Sequence, residues 1–208
     1  MLVALIASVG LPAPSALVAY TVAAVGLILA PGPDTAFVLA QSVGGGRRTG
    51  VRAAAGVAAG VLVHTVAAAA GLSVLFEVST VAYDVVRLAG AAYLLYLGVQ
   101  TIRGGDGGLD VDAATASGGF RRGLVTNVLN PKVALFFLAF LPQFGTGLEL
   151  LPLGALYATL TAVYLGALAA ASGTARAVVD RPGVRTWLRR GSGGTMLALG
   201  TVVALGEP

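Results

Sequence analysis

The chain has no cysteine, a single histidine and a single lysine, and charged residues make up only 11% of its 208 positions. Without cysteine there are no disulfides, thiolate metal sites or cysteine nucleophiles. The shortage of charge excludes more. A soluble domain carries about 25% charged and about 45–50% apolar residues, whereas 57% of this chain is hydrophobic and its mean hydropathy is +0.89. Too little charge remains to clothe a water-facing surface. That excludes a soluble globular enzyme, a disordered regulator and a nucleic-acid-binding domain. No basic region precedes the apolar residues 1–11, so the first span is expected to serve as its own insertion signal rather than as a cleaved peptide. No Walker sequence is present, so direct drive by ATP is not expected.

What is present is apolar sequence in span-sized runs. A membrane helix needs about 20 mostly apolar residues, and six runs qualify as candidates: about 16–38, 53–76, 80–102, 120–144, 150–172 and a short one at 193–205. The Gly- and Asp-rich stretch 103–119 reads as a loop. Eleven of the thirteen basic residues fall on alternate connections. Arg47, Arg48 and Arg52 follow the first span, Arg103, Arg121 and Arg122 flank the long loop, and Arg176, Arg181, Arg185, Arg189 and Arg190 precede the sixth. The other connections carry Glu77, Asp84 and Glu149. The positive-inside bias then predicts cytoplasmic basic loops and both termini outside.

Two of the runs are interrupted at matched positions. Pro33-Asp34-Thr35-Ala36 and Pro131-Lys132-Val133-Ala134 lie 98 residues apart, each in the first helix of a three-span half. Three is odd, so the halves enter the membrane in opposite directions. The expected fold is an all-α membrane protein: one transmembrane domain over 1–208, built as two inverted repeats at about 16–102 and 120–206. Proline removes a backbone donor and clashes with the carbonyl one turn back. Backbone groups freed in hydrocarbon are costly unless they meet protein, water or a ligand, and interrupted helices in corresponding positions point to a transport site. The helices that restart after Pro33 and Pro131 aim their positive ends at the breaks. Pro31, Gly32, Pro33 and Asp34 in one half, with Asn130, Pro131 and Lys132 in the other, are therefore the candidate substrate-binding residues. Asp34 suits an ammonium group or a proton, and Lys132 a carboxylate. The alternative is a buried ion pair that locks the two halves together.

These residues resemble the LysE/RhtB-type family of amino-acid exporters. The resemblance runs from about residue 29 to 204 and rests on Pro31-Gly32-Pro33-Asp34, on Gly56 to His64, on Arg87 to Gly98, and on Phe120 to Lys132 followed by Phe136-Phe137 and Phe140-Leu-Pro-Gln-Phe144. The long apolar leader and the single lysine depart from many members. The resemblance implies a multi-pass secondary carrier of the cytoplasmic membrane. It further implies export of an amino acid or related metabolite, coupling to an ion gradient and no organic cofactor.

Several residues carry two readings. His64, inside the second span, is either a proton relay or a neutral imidazole bonded between helices. Arg87 either snorkels to the outer interface or gates the site, pairing with Asp84 or a substrate carboxylate. Asn130 is expected to cap the helix that starts at Pro131, with Asn127 and Gln143 as polar neighbours. Arg121 and Arg122 set topology and meet lipid phosphate. Gly56-Val-Ala-Ala-Gly60 is a small-xxx-small face for tight bundle packing or for a homo-oligomer. Asp106, Asp110 and Asp112 lack the ligand set of a calcium loop, and Trp187 reads as an interface anchor. The expected partners are a small-molecule substrate and membrane lipid, with no nucleic acid. On the same scaffold, another small solute or a metal cation is the alternative cargo, although one carboxylate, one histidine and no cysteine make a poor metal site. A membrane-embedded enzyme lacks a nucleophile and base constellation. A structural subunit would leave the paired breaks without a purpose.

Overall fold

A computed structural model describes residues 12–30, 32–78, 80–103, 119–171 and 182–205, and all regular structure among them is helical. The elements are α1 (Pro14–Leu29), α2 (Pro33–Val78), α3 (Thr80–Arg103), α4 (Gly119–Val128), α5 (Pro131–Leu135), α6 (Leu150–Ala170) and α7 (Pro182–Leu205). Between α5 and α6 lie a π-helical turn, Phe136–Phe140, and two 3-10 turns, Leu141–Phe144 and Gly147–Glu149. Pro31, most of the apolar leader, the aspartates at 106, 110 and 112, and Arg176 and Arg181 lie outside the described residues.

α2 is two arms, 33–45 and 47–78, joined at Gly46, whose φ of 76° and ψ of 172° are not helical. A side chain would be strained at that φ, so glycine sets the turn. Expectation and structure differ here. The first apolar run stops near residue 38, but the helix continues to residue 45, and the next arm starts at 47 rather than 53. Gln41, Ser42 and Arg47 to Arg52 end the hydrophobic pattern without ending the helix. The last helix likewise starts at Pro182 rather than 193. Its basic first turns stay helical, and Arg189 donates to Thr101 O (3.2 Å) and Ile102 O (2.8 Å) at the negative end of α3.

Among the described residues, Pro33–Ala70 and Gly147–Ala170 are long and apolar enough to cross a membrane as helices. Gly119–Val128 with Pro131–Phe144, bent by 50°, qualifies as a broken span. Glycines let the helices approach closely. Gly56 lies on the backbone of Phe120, and a Cβ on Gly60 would fall 2.7 Å from Asn127 Oδ1. The small-xxx-small face is thus filled by α4, inside the bundle. Gly98 and Gly193 seat α3 on α7, where a Cβ on either would come within 3 Å of the other's carbonyl. Tyr20 of α1 is fully buried and donates to Leu153 O of α6 at 2.8 Å. Outward faces carry Val63, Val66, Val85 and Val163, all exposed.

Candidate functional site

Both breaks form for the same local reason and close in the same way. α1 ends at Leu29, and the Ala30 N–H folds back to Gly26 O and Leu27 O, both at 3.2 Å. Pro33 contributes no N–H, and the next helix begins with Ala36 N–H donating to Gly32 O at 3.0 Å. In the other half α4 ends at Val128, Asn130 N–H returns to Asn127 O at 2.9 Å, and Ala134 N–H donates to Asn130 O at 3.0 Å. Asn130 is the N-cap, its Oδ1 accepting from Lys132 N–H at 3.1 Å, as its position before Pro131 predicts.

The two breaks meet, and each charged residue serves the opposite one. Asp34 Oδ2 accepts from Asn127 Nδ2 at 2.9 Å and from Asn130 Nδ2 at 3.0 Å. Lys132 Nζ donates to Leu27 O at 3.1 Å and Ala30 O at 3.0 Å. These carbonyls lie at the end of α1, where the helix dipole is negative and a cation is favoured. The charges are therefore held by crossed contacts rather than by the simple ion pair that the sequence leaves as an alternative. Gly32 permits the crossing, since a Cβ there would sit 3.2 Å from Lys132 Nζ.

A cavity of about 20 Å³ lies where the breaks cross, lined by Leu27, Ile28, Asp34, Thr35, Asn127 and Lys132 and, from the far side, by Val133, Tyr157, Thr161 and Leu165. It holds about one water molecule, far below the roughly 300–1,000 Å³ of a ligand pocket. Asp34 Oδ1 and Thr161 Oγ1 are buried there without hydrogen-bond partners. Such orphans are costly, and in a native protein they call for an explanation. Thr161 and Tyr157 escape a reading that looks only for charge and proline. The available signal is their spacing, since Tyr157, Thr161 and Leu165 repeat every four residues along α6 and so share one face.

His64 Nε2 donates to Asn127 O at 3.1 Å, and its ring lies 6.0 Å from Phe137. It reaches the second break from α2 as the interhelical bond its alternative reading describes. Arg87 is elsewhere: it pairs with Asp84 on its own helix at 3.3 Å, and no contact joins it to the two breaks among the described residues. Beyond the second break an aromatic cluster fills the space. Phe136 packs on Phe140 (5.0 Å), Tyr157 (5.1 Å) and Tyr20 (6.1 Å), and Phe140 packs on Phe144 (5.0 Å). The π-helical turn that presents these rings is a form often found at functional sites.

The chain is 43% identical over 131 residues to a leucine efflux protein of Klebsiella pneumoniae, covering 60% of this chain and 61% of the relative. A leucine efflux protein of Salmonella choleraesuis is 38% identical over 129 residues, with the same coverage. An uncharacterized membrane protein of Pseudomonas aeruginosa is 37% identical over 160 residues, covering 70% of this chain and 74% of the relative. The aligned part thus spans about three fifths of the leucine efflux proteins. No solved structure matches the chain. The model of the LysE type translocators matches residues 25–207, a span that contains both breaks, His64 and the aromatic cluster apart from Tyr20, and the chain belongs to that family of translocators.

Proposed function

We propose that the protein exports an amino acid across the cytoplasmic membrane as a secondary carrier. The substrate class is a neutral aliphatic amino acid such as leucine, or a close analogue. The observation that carries this reading is the crossed pair of breaks, with a carboxylate and an ammonium group held about one small cavity. An α-amino acid bears the complementary charges, so Asp34 would receive its ammonium group and Lys132 its carboxylate, with Gly32, Pro33, Asn130 and Pro131 supplying the unwound backbone. Leu27, Ile28, Val133 and Leu165 give the same cavity an apolar wall. The names of the relatives support leucine as the first substrate to test.

The mechanism is alternating access between two inverted three-helix repeats. Matched closing bonds at Ala36 and Ala134 support the repeat. So does the packing, in which 47–78 lies on α4 and 33–45 on α6, with 47–78 also meeting α6 where Gly154 packs on Thr65. Six spans result if α1 and 33–45 together make the first, with the basic loops cytoplasmic. A cavity that holds one water fits an occluded state that opens to admit solute. Coupling is to protons, with Asp34 and His64 as the candidate carriers. The test is counterflow in proteoliposomes with labelled leucine and a panel of other amino acids, at several imposed pH gradients. Leucine uptake that responds to the pH gradient is expected. No uptake of any amino acid overturns the exporter reading, and uptake indifferent to the gradient overturns proton coupling.

A further inference from the structure

The two helices that leave the breaks are lined differently. Arm 33–45 runs toward the end of the bundle that carries Arg47, Arg48 and Arg52, which with Val51 line an open depression of about 530 Å³. α4 begins at that same end, since Gly119 packs on Thr49 O. α5 and the turns after it therefore lead the other way. On arm 33–45 the buried side chains include Thr35, Gln41 and Ser42, each at least nine-tenths buried. Asp34 and Gln41 are seven residues apart, so they share one face about 10 Å apart along the axis. Facing this arm, α6 brings Thr161, itself 4% exposed. Gln41 Oε1, Thr161 Oγ1 and Asp34 Oδ1 are all buried without a partner. Asn127 Oδ1 at the second break and Arg87 Nε on α3 are also buried without a partner, but the path from the second break in the opposite direction is lined chiefly by rings. It is packed with Phe136, Phe137, Phe140 and Phe144 against Tyr20 and Tyr157.

A buried seam with unsatisfied polar atoms is expensive in a structural interface, but it suits a route whose polar atoms a solute satisfies as it passes. We propose that the seam between arm 33–45 and α6, through Ser42, Gln41 and Thr161, is the route between the basic end and the central cavity, and that the aromatic cluster is the gate that closes the opposite end. The arginines at that end of the bundle attract a carboxylate toward the seam. Gln41 then offers a neutral amide halfway, which can bond either end of a zwitterion without trapping it. The direction of travel rests on the exporter reading, but the sidedness of the seam does not.

The chain's lack of cysteine makes the test direct, because single cysteines need no altered background. Gln41→Cys, Ser42→Cys, Thr161→Cys and Phe140→Cys are each exposed, in sealed vesicles of either orientation, to a membrane-impermeant methanethiosulfonate reagent. Val66→Cys, on the lipid-facing side, is the control. Ser42→Cys and Thr161→Cys change little in volume and keep the test alive if Gln41→Cys fails to insert. Cysteines at 41, 42 and 161 are expected to react at least tenfold faster from the basic face than from the other, and the cysteine at 140 to resist the reagent from the basic face. Equal or faster reaction from the opposite face, or reaction at 140 from the basic face as fast as at 161, overturns the proposal. Labelling does not require transport. Sided labelling without counterflow of any amino acid would keep the route and remove the exporter reading, whereas counterflow without labelling at 41, 42 and 161 would remove the route alone.

Discussion

The two breaks use one backbone device with opposite chemistry, and the difference lies in how each freed carbonyl is satisfied. At the first break, Leu27 O and Ala30 O take the Lys132 ammonium group from the other half of the chain. At the second, Asn127 O takes His64 from a neighbouring helix and the Asn130 N–H from its own turn. The freed carbonyls of the first break therefore depend on a cation from the second, while those of the second are met by its own turn and by His64. The helices that follow diverge too. One continues as regular α-helix with buried polar side chains, and the other passes into π and 3-10 turns with buried rings. Under the proposed repeat, these unequal linings would let one end be wetted while the other stays shut.

If the first break depends on a remote cation, Lys132→Met should have the largest effect. Two charge-assisted bonds are lost and Asp34 is left without a cation nearby. Leucine counterflow should fall by about 100-fold or more, with a loss of stability on the order of 3 kcal/mol, read as a lower melting temperature in detergent. Asp34→Asn comes next. It keeps the shape but sets a third amide against those of Asn127 and Asn130, so counterflow should fall by at least tenfold and stability by about 1–2 kcal/mol. Asn130→Ala removes a cap and one of the two amides on Asp34, which should cost about 1 kcal/mol and slow counterflow several-fold. His64→Leu should be mildest in stability, about 0.6 kcal/mol for one interhelical bond. An effect of His64→Leu larger than that of Lys132→Met would reverse the comparison.

Much of the site is legible in the sequence because prolines and charges are conspicuous in an apolar background. Pro33, Asp34, Asn130, Pro131 and Lys132 stand out, and their constant offset suggests that the breaks meet. The partners of the charges are not legible. Lys132 bonds carbonyls 102 and 105 residues away, and a main-chain carbonyl has no signature in a sequence. Thr161 and Gln41 read as ordinary polar residues until α6 and arm 33–45 are seen to face each other. Helix boundaries fail for a related reason. Apolar runs report contact with lipid or core, whereas helices at 41–45 and 182–192 persist through polar and basic residues because their backbone bonds remain intact.

The central claim is that each charge is held by the dipoles of the opposite break. The most direct measurement is the rate of labelled-leucine counterflow by the charge-swapped protein, Asp34→Lys with Lys132→Asp, beside each single substitution and the parent. The swap would set an ammonium group against amide donors and a carboxylate against carbonyl oxygens. The expected rate is no higher than that of the worse single variant. A swapped protein that transports faster than both single variants would show that the two charges need only each other, and would contradict the account.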